Sequence, residues 1–281
     1  MARYTALVSA PPVVLSIAGY DPSSGAGITA DIKTAAAFGC YAVTCITALT
    51  VQSTQGVFAV EPVRREIVRE TLQRLRDDFE IAAVRIGMLG SGAIAEEVAG
   101  FLESRPMRNV VLDPVIRSSS GAALIDPRGL QGLRERLLPL ADLITPNIDE
   151  AAVLAGLEAP ANGSRWEEAE PLVRACANRL HEIGSRGVVI TGGHLAGPVD
   201  LLSIQQPDGS RLMRCFAGKR VESGSTHGTG CAMTMALACL LAQGADLEAA
   251  VTKAKQYVSR AIEQADPLGK GVGPVKHLYL G

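Results

Sequence analysis

Short apolar runs alternate with amphipathic stretches along most of this chain. Residues 13–18 form a compact apolar run that stops at Gly19, and such a run is typical of a buried strand. Residues 28–38 place apolar and small residues at helical spacing, which predicts a helix. The alternation continues with predicted strands at 41–49, 56–62, 84–86, 109–113, 142–145 and 188–191, and predicted helices at 63–79, 93–103, 129–138, 148–155 and 167–183.

The last third of the chain ends this pattern with a hairpin and two helices. Residues 201–205 and 210–216 flank a Pro-Asp-Gly turn, and residues 230–242 and 247–264 have helical periodicity. Strands that alternate with helices predict an α/β protein whose mainly parallel sheet is covered on both faces. Since we find no linker or repeat, we predict one domain over 13–281, preceded by a flexible leader at 1–12.

Composition narrows the classes of function. The chain has 281 residues, of which 47% are hydrophobic and 4% aromatic, and its formal net charge is -2. The apolar fraction excludes general disorder, and no apolar stretch reaches the ~18 residues of a membrane span. Neither the charge nor the aromatic content favours nucleic acid. We therefore expect a small-molecule partner, with no nucleic acid and no membrane.

Six cysteines have no zinc-site spacing and are too sparse for a secreted disulfide scaffold. Reduced thiols in a cytoplasmic protein are the better interpretation, with most of them packed as small buried groups.

Candidate chemistry lies where predicted strands end, because ligands of such sheets bind at the carboxyl ends of the strands. The segment GYDPSSGAG at 19–27 follows the first strand, and Asp31 lies in the next helix. Its glycines allow close approach of a ligand to the backbone, although any tight turn can carry them. The segment matches neither the Walker A motif nor the dinucleotide-binding fingerprint.

Three oxygen-bearing side chains follow two later strands. Asp113 ends one strand, and Asn147 and Glu150 start the helix after the next. Such a set suits Mg²⁺, which proteins usually hold together with waters and substrate phosphates. The alternative is that Asn147 is an ordinary N-cap and Glu150 its capping-box partner.

The segment GSTHGTGC at 224–231 is the most informative and is called the anion-hole loop below. Its small residues expose backbone N–H groups at the start of an apolar helix, where they can hold the charge of a transferring phosphoryl group. Cys231 falls in the first helical turn, which predicts a lowered thiol pKa, the alternative being a buried structural thiol. His227 has no evident carboxylate partner and is interpreted as a loop residue near the ligand. His181, on a charged helix, is predicted to face solvent.

Eight motifs, in this order, resemble the hydroxymethylpyrimidine/phosphomethylpyrimidine kinases of thiamine biosynthesis, within the ribokinase-like superfamily. They are AGYDPSSGAGITADIKT (18–34), TALTVQSTQGV (47–57), IGMLGS (86–91), VVLDPVI (110–116), LITPNIDEA (143–151), GGH (192–194), THGTGC (226–231) and GVGPVKH (271–277).

The resemblance implies a three-layer α/β/α ribokinase-like fold with a minimal lid, and a kinase that uses ATP and Mg²⁺. The expected substrate is 4-amino-5-hydroxymethyl-2-methylpyrimidine, phosphorylated first to the monophosphate and then to the diphosphate. It further implies a homodimer, to which residues 39–49 can contribute.

The family's site residues transfer to matching positions. Gln52 and Asp31 are expected to hydrogen-bond the aminopyrimidine edge, and Met88 and Val115 to flank the ring. Cys231 is expected to act as a thiolate base. The remaining expected site residues are Gly19 for the pyrimidine, Gly228, Thr229 and Gly230 for the anion hole, Asn147, Glu150, Thr191, Gly193 and Thr226 for the nucleotide, and Asp113 and Glu150 for the metal.

Two positions depart from the family pattern. Thr191 stands where many members have a lysine, and Ala122 where many have an aspartate. Lys219, Arg220, Lys255 and Arg117 are the candidates to supply the missing positive charge. The alternatives to the pyrimidine kinase are a pyridoxal/pyridoxine kinase on the same scaffold, and a sensor that binds pyrimidine or nucleotide without turnover.

Overall fold

A computed structural model describes residues 10–118 and 121–279 of the chain. Residues 1–9 of the predicted leader, and Ser120 in the segment near Ala122, lie outside the described residues. Pro12, at the end of the leader, accepts a hydrogen bond from the Tyr41 N–H at 2.9 Å, so the chain is already tied to the sheet before the first strand begins.

Within the described residues, nine strands form one sheet in the order β3-β2-β1-β4-β5-β6-β7-β8-β9. Strands β2, β1, β4, β5, β6 and β7 are parallel, which confirms a mainly parallel sheet. At the two sides, β3 pairs antiparallel with β2, β8 with β7, and β9 with β8. The strands are β1 Val13–Tyr20, β2 Tyr41–Ser53, β3 Gly56–Pro62, β4 Ile81–Ile86, β5 Val110–Leu112, β6 Leu143–Ile144, β7 Gly187–Ile190, β8 Val199–Gln205 and β9 Arg211–Ala217.

Helices cover both faces of this sheet. The helices are α1 Gly27–Ala37, α2 Arg65–Asp78, α3 Gly92–Ser104, α4 Pro127–Gly132, α5 Ile148–Ala155, α6 Trp166–Ile183, α7 Thr229–Ala242 and α8 Leu247–Glu263. Helices α1, α7 and α8 pack on one face, and α2 to α6 on the other. No helix in the described part of the chain combines the length and apolarity needed to cross a bilayer.

The strand residues alternate between two cores. In β1, Leu15 and Ile17 pack toward α2 to α6, whereas Val14 packs toward α7 and α8. Successive strand side chains point to opposite faces, so continuous apolar runs are what a sheet covered on both sides requires. The expected three-layer α/β/α arrangement is confirmed.

One helix differs from its prediction. The helix predicted at 129–138 begins earlier, with Asp126 as its N-cap accepting from the Gly129 N–H at 2.6 Å. It then changes to a π turn at Leu133–Leu137 and a 3₁₀ turn at Leu138–Leu140. Pro139 lacks the N–H that a continued α-helix needs, and the chain turns away there.

His181 does not face solvent as predicted. It is buried on α6, where its Nδ1 lies 2.7 Å from the Ser185 carbonyl oxygen and its Nε2 lies 2.8 Å from the Ser203 hydroxyl. Strand β8 covers this helix face through Ser203, and local charge along the helix could not reveal that contact. His181 therefore joins a helix to the sheet.

Candidate active site

Two loops interlock at the carboxyl ends of β1 and β4. Gly228 has a φ of +87°, and a Cβ there would lie 1.7 Å from the Gly25 carbonyl oxygen. Gly27 has a φ of +58°, and its Cβ would lie 2.2 Å from the Gly19 carbonyl oxygen. Both positions need glycine for conformation and for space. The glycine-rich turn after β1 and the anion-hole loop before α7 therefore form one joined backbone surface.

Asp21 and His227 link the same two loops through their side chains. His227 Nε2 lies 2.8 Å from Asp21 Oδ2, and Asp21 also accepts from the Ser23 and Ala26 N–H groups, each at 2.8 Å. Burial alone would raise the pKa of Asp21, but the hydrogen bonds from His227 and Ser23 outweigh it and lower the pKa. The interpretation that His227 has no carboxylate partner is wrong, because the partner lies 206 residues away.

The predicted ring-binding residues converge beside these loops. A Cβ on Gly19 would lie 3.1 Å from the Met88 sulfur, so the backbone of β1 and the Met88 side chain are in direct proximity. Gln52 and His227 both line a cavity of about 70 Å³. Val115 is half-buried two residues beyond Asp113.

A buried arginine lies beneath this pocket. Arg85 in β4 has no exposed surface, and its guanidinium lies 3.0 Å from Asp31 Oδ2 and 2.9 Å from Asp113 Oδ2. Burial opposes its charge, but the Asp31 carboxylate, with Cys231 and Asp113, raises the pKa of Arg85 overall. Gly87 provides the space, since a Cβ there would lie 2.1 Å from the guanidinium.

Asp31 belongs to this buried network. Its side chain has no exposed surface, accepts from the Ser16 hydroxyl at 2.6 Å, and is paired with Arg85. Burial raises the pKa of Asp31 to about 6, although Arg85 opposes the rise. The expected hydrogen bond between Asp31 and the pyrimidine stays a prediction, and Asp31 Oδ1 has no hydrogen-bond partner among the described residues. In the structure, Asp31 is a buried partner of Arg85.

Arg85 itself was not predicted as a site residue. The available signal was a charged residue inside the apolar run Ile81–Ile86, in a strand predicted to be buried on both faces. A fully buried charge requires partners.

Asn147 and Glu150 form the capping box that was one of the two alternatives. Glu150 N–H donates to Asn147 Oδ1 at 2.9 Å, and Glu150 Oε2 accepts from the Asn147 N–H at 3.0 Å. Burial and the Asp113 carboxylate raise the pKa of Glu150 to about 8, whereas the N–H groups of Asn147 and Ile116 oppose the rise. The capping hydrogen bonds do not neutralise the Glu150 carboxylate, and its charge still repels the Asp113 carboxylate.

The two carboxylates of Asp113 and Glu150 suit a divalent cation, because a cation would relieve their mutual repulsion. Among the described residues, no group of three or more His, Cys, Asp or Glu side chains could hold a metal by itself. A pair of carboxylates is what Mg²⁺ commonly uses when substrate phosphates and waters complete its coordination.

Cys231 lies in the first turn of α7, half-buried above Arg85. Burial raises the pKa of the Cys231 thiol to about 11; Arg85 opposes the rise, and the Asp113 and Asp31 carboxylates add to it. The predicted lowering of this pKa is wrong. The local helix position favours a thiolate, but burial and two carboxylates from other elements outweigh it.

The residues predicted to bind nucleotide lie beyond β6 and β7. Thr191 pairs with Asn147 in an isolated parallel β-bridge. The carbonyl oxygen of the exposed Gly193 accepts a hydrogen bond from the Arg220 guanidinium at 3.3 Å. Asp200 accepts from the Gly192 N–H at 2.9 Å and pairs with Lys255 at 2.6 Å. Thr226 is exposed, and Gly228, Thr229 and Gly230 start α7.

The positively charged candidates have different surroundings. Lys255 is engaged by Asp200, Arg117 donates to the Gly121 carbonyl at 3.3 Å, and Lys219 is exposed. Arg220 donates to carbonyls of the Gly193 loop. Arg220 is therefore the candidate that the structure brings to the predicted nucleotide loop.

Comparisons with known proteins identify the family of this chain. The sequence profile of the family described as phosphomethylpyrimidine kinase matches residues 21–276. The chain is 43% identical to the bifunctional thiamine biosynthesis protein of Geobacter sulfurreducens over 94% of its own length, but it spans only about half (52%) of that relative. It is 39% identical to the hydroxymethylpyrimidine/phosphomethylpyrimidine kinase of Aquifex aeolicus, covering 92% of this chain and 97% of the relative.

A solved structure with a similar fold is the pyridoxal kinase of Bacillus subtilis in complex with ADP. The TM-score is 0.83 at 32% identity, with 95% of this chain and 97% of that chain covered.

The raised pKa of Glu150 predicts a pH-dependent stability. Between its ordinary value of 4.5 and about 8, the folded protein binds a proton that the unfolded chain lacks. Stability should therefore fall as pH rises through this range, by up to about 1.4 kcal/mol per pH unit from this group. Urea unfolding of metal-free protein between pH values of about 5 and 8 should show the fall, and Glu150→Gln should reduce its slope.

Glu103→Gln provides the matched control. Glu103 is exposed and pairs with Arg136, so its loss should leave the slope unchanged. An unaltered slope in Glu150→Gln would show that Glu150 titrates normally in the folded protein.

Proposed function

The chain belongs to the phosphomethylpyrimidine kinase family, and on that premise we propose how its site performs the family's reaction. It is an ATP-dependent phosphotransferase with a ribokinase-like fold. It phosphorylates 4-amino-5-hydroxymethyl-2-methylpyrimidine and then the monophosphate. The observation that carries the proposal is the position of the α7 N-terminus: His227, just before it, contacts Gln52 at the cavity, and a Cβ on Gly230 would lie 3.9 Å from the Asp113 carboxylate.

The pyrimidine ring would lie between Gly19, Met88 and Val115, with Gln52 at its edge. Gly19 and Met88 are already in proximity, and Gln52 lines the adjacent cavity. A ring held there directs its hydroxymethyl group toward the start of α7. Positioning of this kind accounts for much of the rate enhancement in phosphoryl transfer.

The phosphoryl group would be received by the backbone of the anion-hole loop. The N–H groups of Gly228, Thr229, Gly230 and Cys231 start α7, and N–H groups at a helix N-terminus stabilise developing negative charge. Only glycine fits at position 228, because a Cβ there would collide with the Gly25 carbonyl oxygen. The close contact between the two loops keeps this backbone in place.

ATP would bind across α5 and the Gly193 loop. Asn147, Thr191, Gly193 and Thr226 are the proposed contacts, and Arg220 would supply part of the charge that a lysine at position 191 supplies in many relatives. Asp113 and Glu150 would hold Mg²⁺, which when bound supplies positive charge to the phosphate oxygens.

Cys231 would accept the proton of the substrate hydroxyl. The pKa of its thiol is about 11, so the thiol must first lose its own proton. Arg85, next to the sulfur, is the positive charge that favours the thiolate. A loose phosphoryl-transfer transition state makes a modest demand on this base, because the nucleophile is only weakly bonded to phosphorus.

A homodimer would cover the exposed edge ribbon of β2 and β3. Leu49, Val51 and Phe58 expose 49%, 63% and 69% of their surface there. Leu49 and Val51 point to the same side of β2 because they are two residues apart. Large apolar side chains grouped on one ribbon are typical of a contact with another protein surface.

A pyridoxal kinase is the second candidate, because a pyridoxal kinase has the same fold at a TM-score of 0.83. A coupled kinase assay with the pyrimidine alcohol, its monophosphate and pyridoxal should give the highest kcat/KM values for the two pyrimidines. A higher kcat/KM on pyridoxal would reverse the assignment. Tight binding of the pyrimidine with Mg-ATP but no product would instead support the sensor.

Cys231→Ala should lower turnover by about 10²–10⁴ if the thiol is the proton acceptor. Because the thiol must deprotonate first, the wild-type kcat/KM should rise with pH below the pKa of about 11, and the variant should lack this rise. Cys215→Ala, at an exposed thiol on β9, is the control and should retain both turnover and profile. Near-normal turnover in folded Cys231→Ala would refute the role.

Phe58→Glu should produce a monomer if the β2–β3 ribbon is the dimer contact. A charge placed in a buried apolar contact cannot be solvated, so association should weaken by several orders of magnitude. Sedimentation equilibrium of the wild type and the variant measures this directly. Leu278→Glu, at a similarly exposed residue away from the ribbon, should leave the association unchanged.

A further inference from the structure

One nitrogen of His227 contacts two side chains of the ring pocket. Its Nε2 lies 2.8 Å from Asp21 Oδ2 and 3.2 Å from the carboxamide of Gln52. His227 exposes 14% of its side chain and Asp21 only 4%, so water competes little for these contacts. The backbone also holds the ring in place, since the His227 N–H donates to the Gly273 carbonyl at 2.9 Å.

The partners of His227 determine where its proton is. Hydrogen bonds from Ser23, Ala26 and His227 lower the pKa of Asp21, which is therefore an ionised acceptor. A nitrogen 2.8 Å from a carboxylate oxygen must carry a hydrogen, so Nε2 of His227 is a donor. The same nitrogen therefore has both the Asp21 carboxylate and the Gln52 carboxamide within hydrogen-bond distance.

A donor at His227 determines the orientation of the Gln52 carboxamide. The oxygen and nitrogen of a carboxamide are nearly isosteric, and their hydrogen-bond partners decide which faces which. The structure places Gln52 Nε2 3.2 Å from His227 Nε2 and Gln52 Oε1 toward the Thr50 hydroxyl, which makes two donors face each other at His227. A 180° turn of the carboxamide removes this conflict, because its oxygen then accepts from His227 Nε2.

Thr50 agrees with this orientation from the other side. Its hydroxyl donates to the Tyr20 carbonyl at 3.0 Å and lies 3.1 Å from the other end of the carboxamide. Since its hydrogen is used on Tyr20, the hydroxyl oxygen is available as an acceptor for the Gln52 NH₂. The carboxamide is thus held by a donor at its oxygen and an acceptor at its nitrogen.

We propose that the Asp21–His227 pair, together with Thr50, is a specificity device that holds the Gln52 carboxamide in one orientation. In that orientation one N–H and one oxygen lone pair remain side by side for the ligand. They complement a ring nitrogen next to an exocyclic amino group, which is the edge of a 4-aminopyrimidine. This inference rests on the proposed function, since it assumes that Gln52 meets the pyrimidine edge.

The consequence is discrimination against the 4-oxo analogue of the substrate. Exchange of the amino group for a carbonyl gives an acceptor outside the ring and an N–H within it, the reverse of the pattern that the held Gln52 recognises. A freely rotating carboxamide could turn by 180° and accept either ligand. A held carboxamide leaves mismatched groups buried, and such mismatches discriminate strongly.

The test compares 5-hydroxymethyl-2-methylpyrimidines that carry a 4-amino or a 4-oxo group, by calorimetric Kd and by kcat/KM. We expect the wild type to prefer the amino compound by about 10²-fold or more. In His227→Leu the preference for the amino compound should fall at least about tenfold. The change should appear mostly in Kd and KM rather than in kcat. His227→Gln, which can restore a donor, should recover part of the ratio.

Thr50→Val supplies a second variant of nearly unchanged shape, and it should also reduce the ratio. Asp208→Asn is the matched control. Asp208 accepts from Ser210 N–H and hydroxyl in an exposed turn, as Asp21 does from Ser23, but it has no role at the pocket. Its replacement should leave the ratio unchanged.

If His227 had only a structural role, its replacement would weaken the binding of both ligands equally and leave the preference ratio unchanged. That result in His227→Leu and Thr50→Val would overturn the proposal, as would a wild type that does not discriminate between the two ligands. Failure of the proposed function has a different signature, because the wild type would then phosphorylate neither pyrimidine while its binding ratio still reports on Gln52.

Discussion

The ion network around Arg85 joins the parts of the chain that build the site. Its guanidinium, fully buried in β4, reaches Asp31 on α1, Asp113 after β5 and Cys231 at the start of α7. A buried charge without partners is strongly unfavourable, and so is a buried carboxylate left alone. These elements are therefore held in mutual position by electrostatics as well as by apolar packing, and the anion-hole loop lies directly above them.

The charge balance of this region explains its chemistry. Asp31 and Asp113 both pair with Arg85, and burial together with the Asp113 carboxylate raises the pKa values of Asp31 and Glu150. A region with surplus negative charge attracts a cation. The helix N-terminus of α7 next to it attracts anions. Juxtaposition of the two suits a phosphoryl group that is transferred between a metal-bound nucleotide and a hydroxyl.

Local features of the structure followed the predictions closely. Helix α5 was predicted with its observed bounds, because Asn147, Glu150 and Gly156 carry the start and stop signals within a few residues. The hairpin of β8 and β9 was equally clear from its turn. The interpretation that His227 has no carboxylate partner failed because that partner lies 206 residues away, and the pairing of Asp31 with Arg85 across 54 residues was equally invisible in the sequence. The substrate, nucleotide and metal roles stay predictions.

The sequence alone determined the order of strands and helices, the mainly parallel sheet, the family and the position of Cys231 after Gly-Thr-Gly. Periodicity, capping and motif order are properties of neighbouring residues, and a single chain displays them. The raised pKa of Cys231, the burial of Asp31 and the contact of His227 with Asp21 and Gln52 are set by the folded structure. Each depends on desolvation and on charges or donors from other elements, and these fields exist only when the chain is folded.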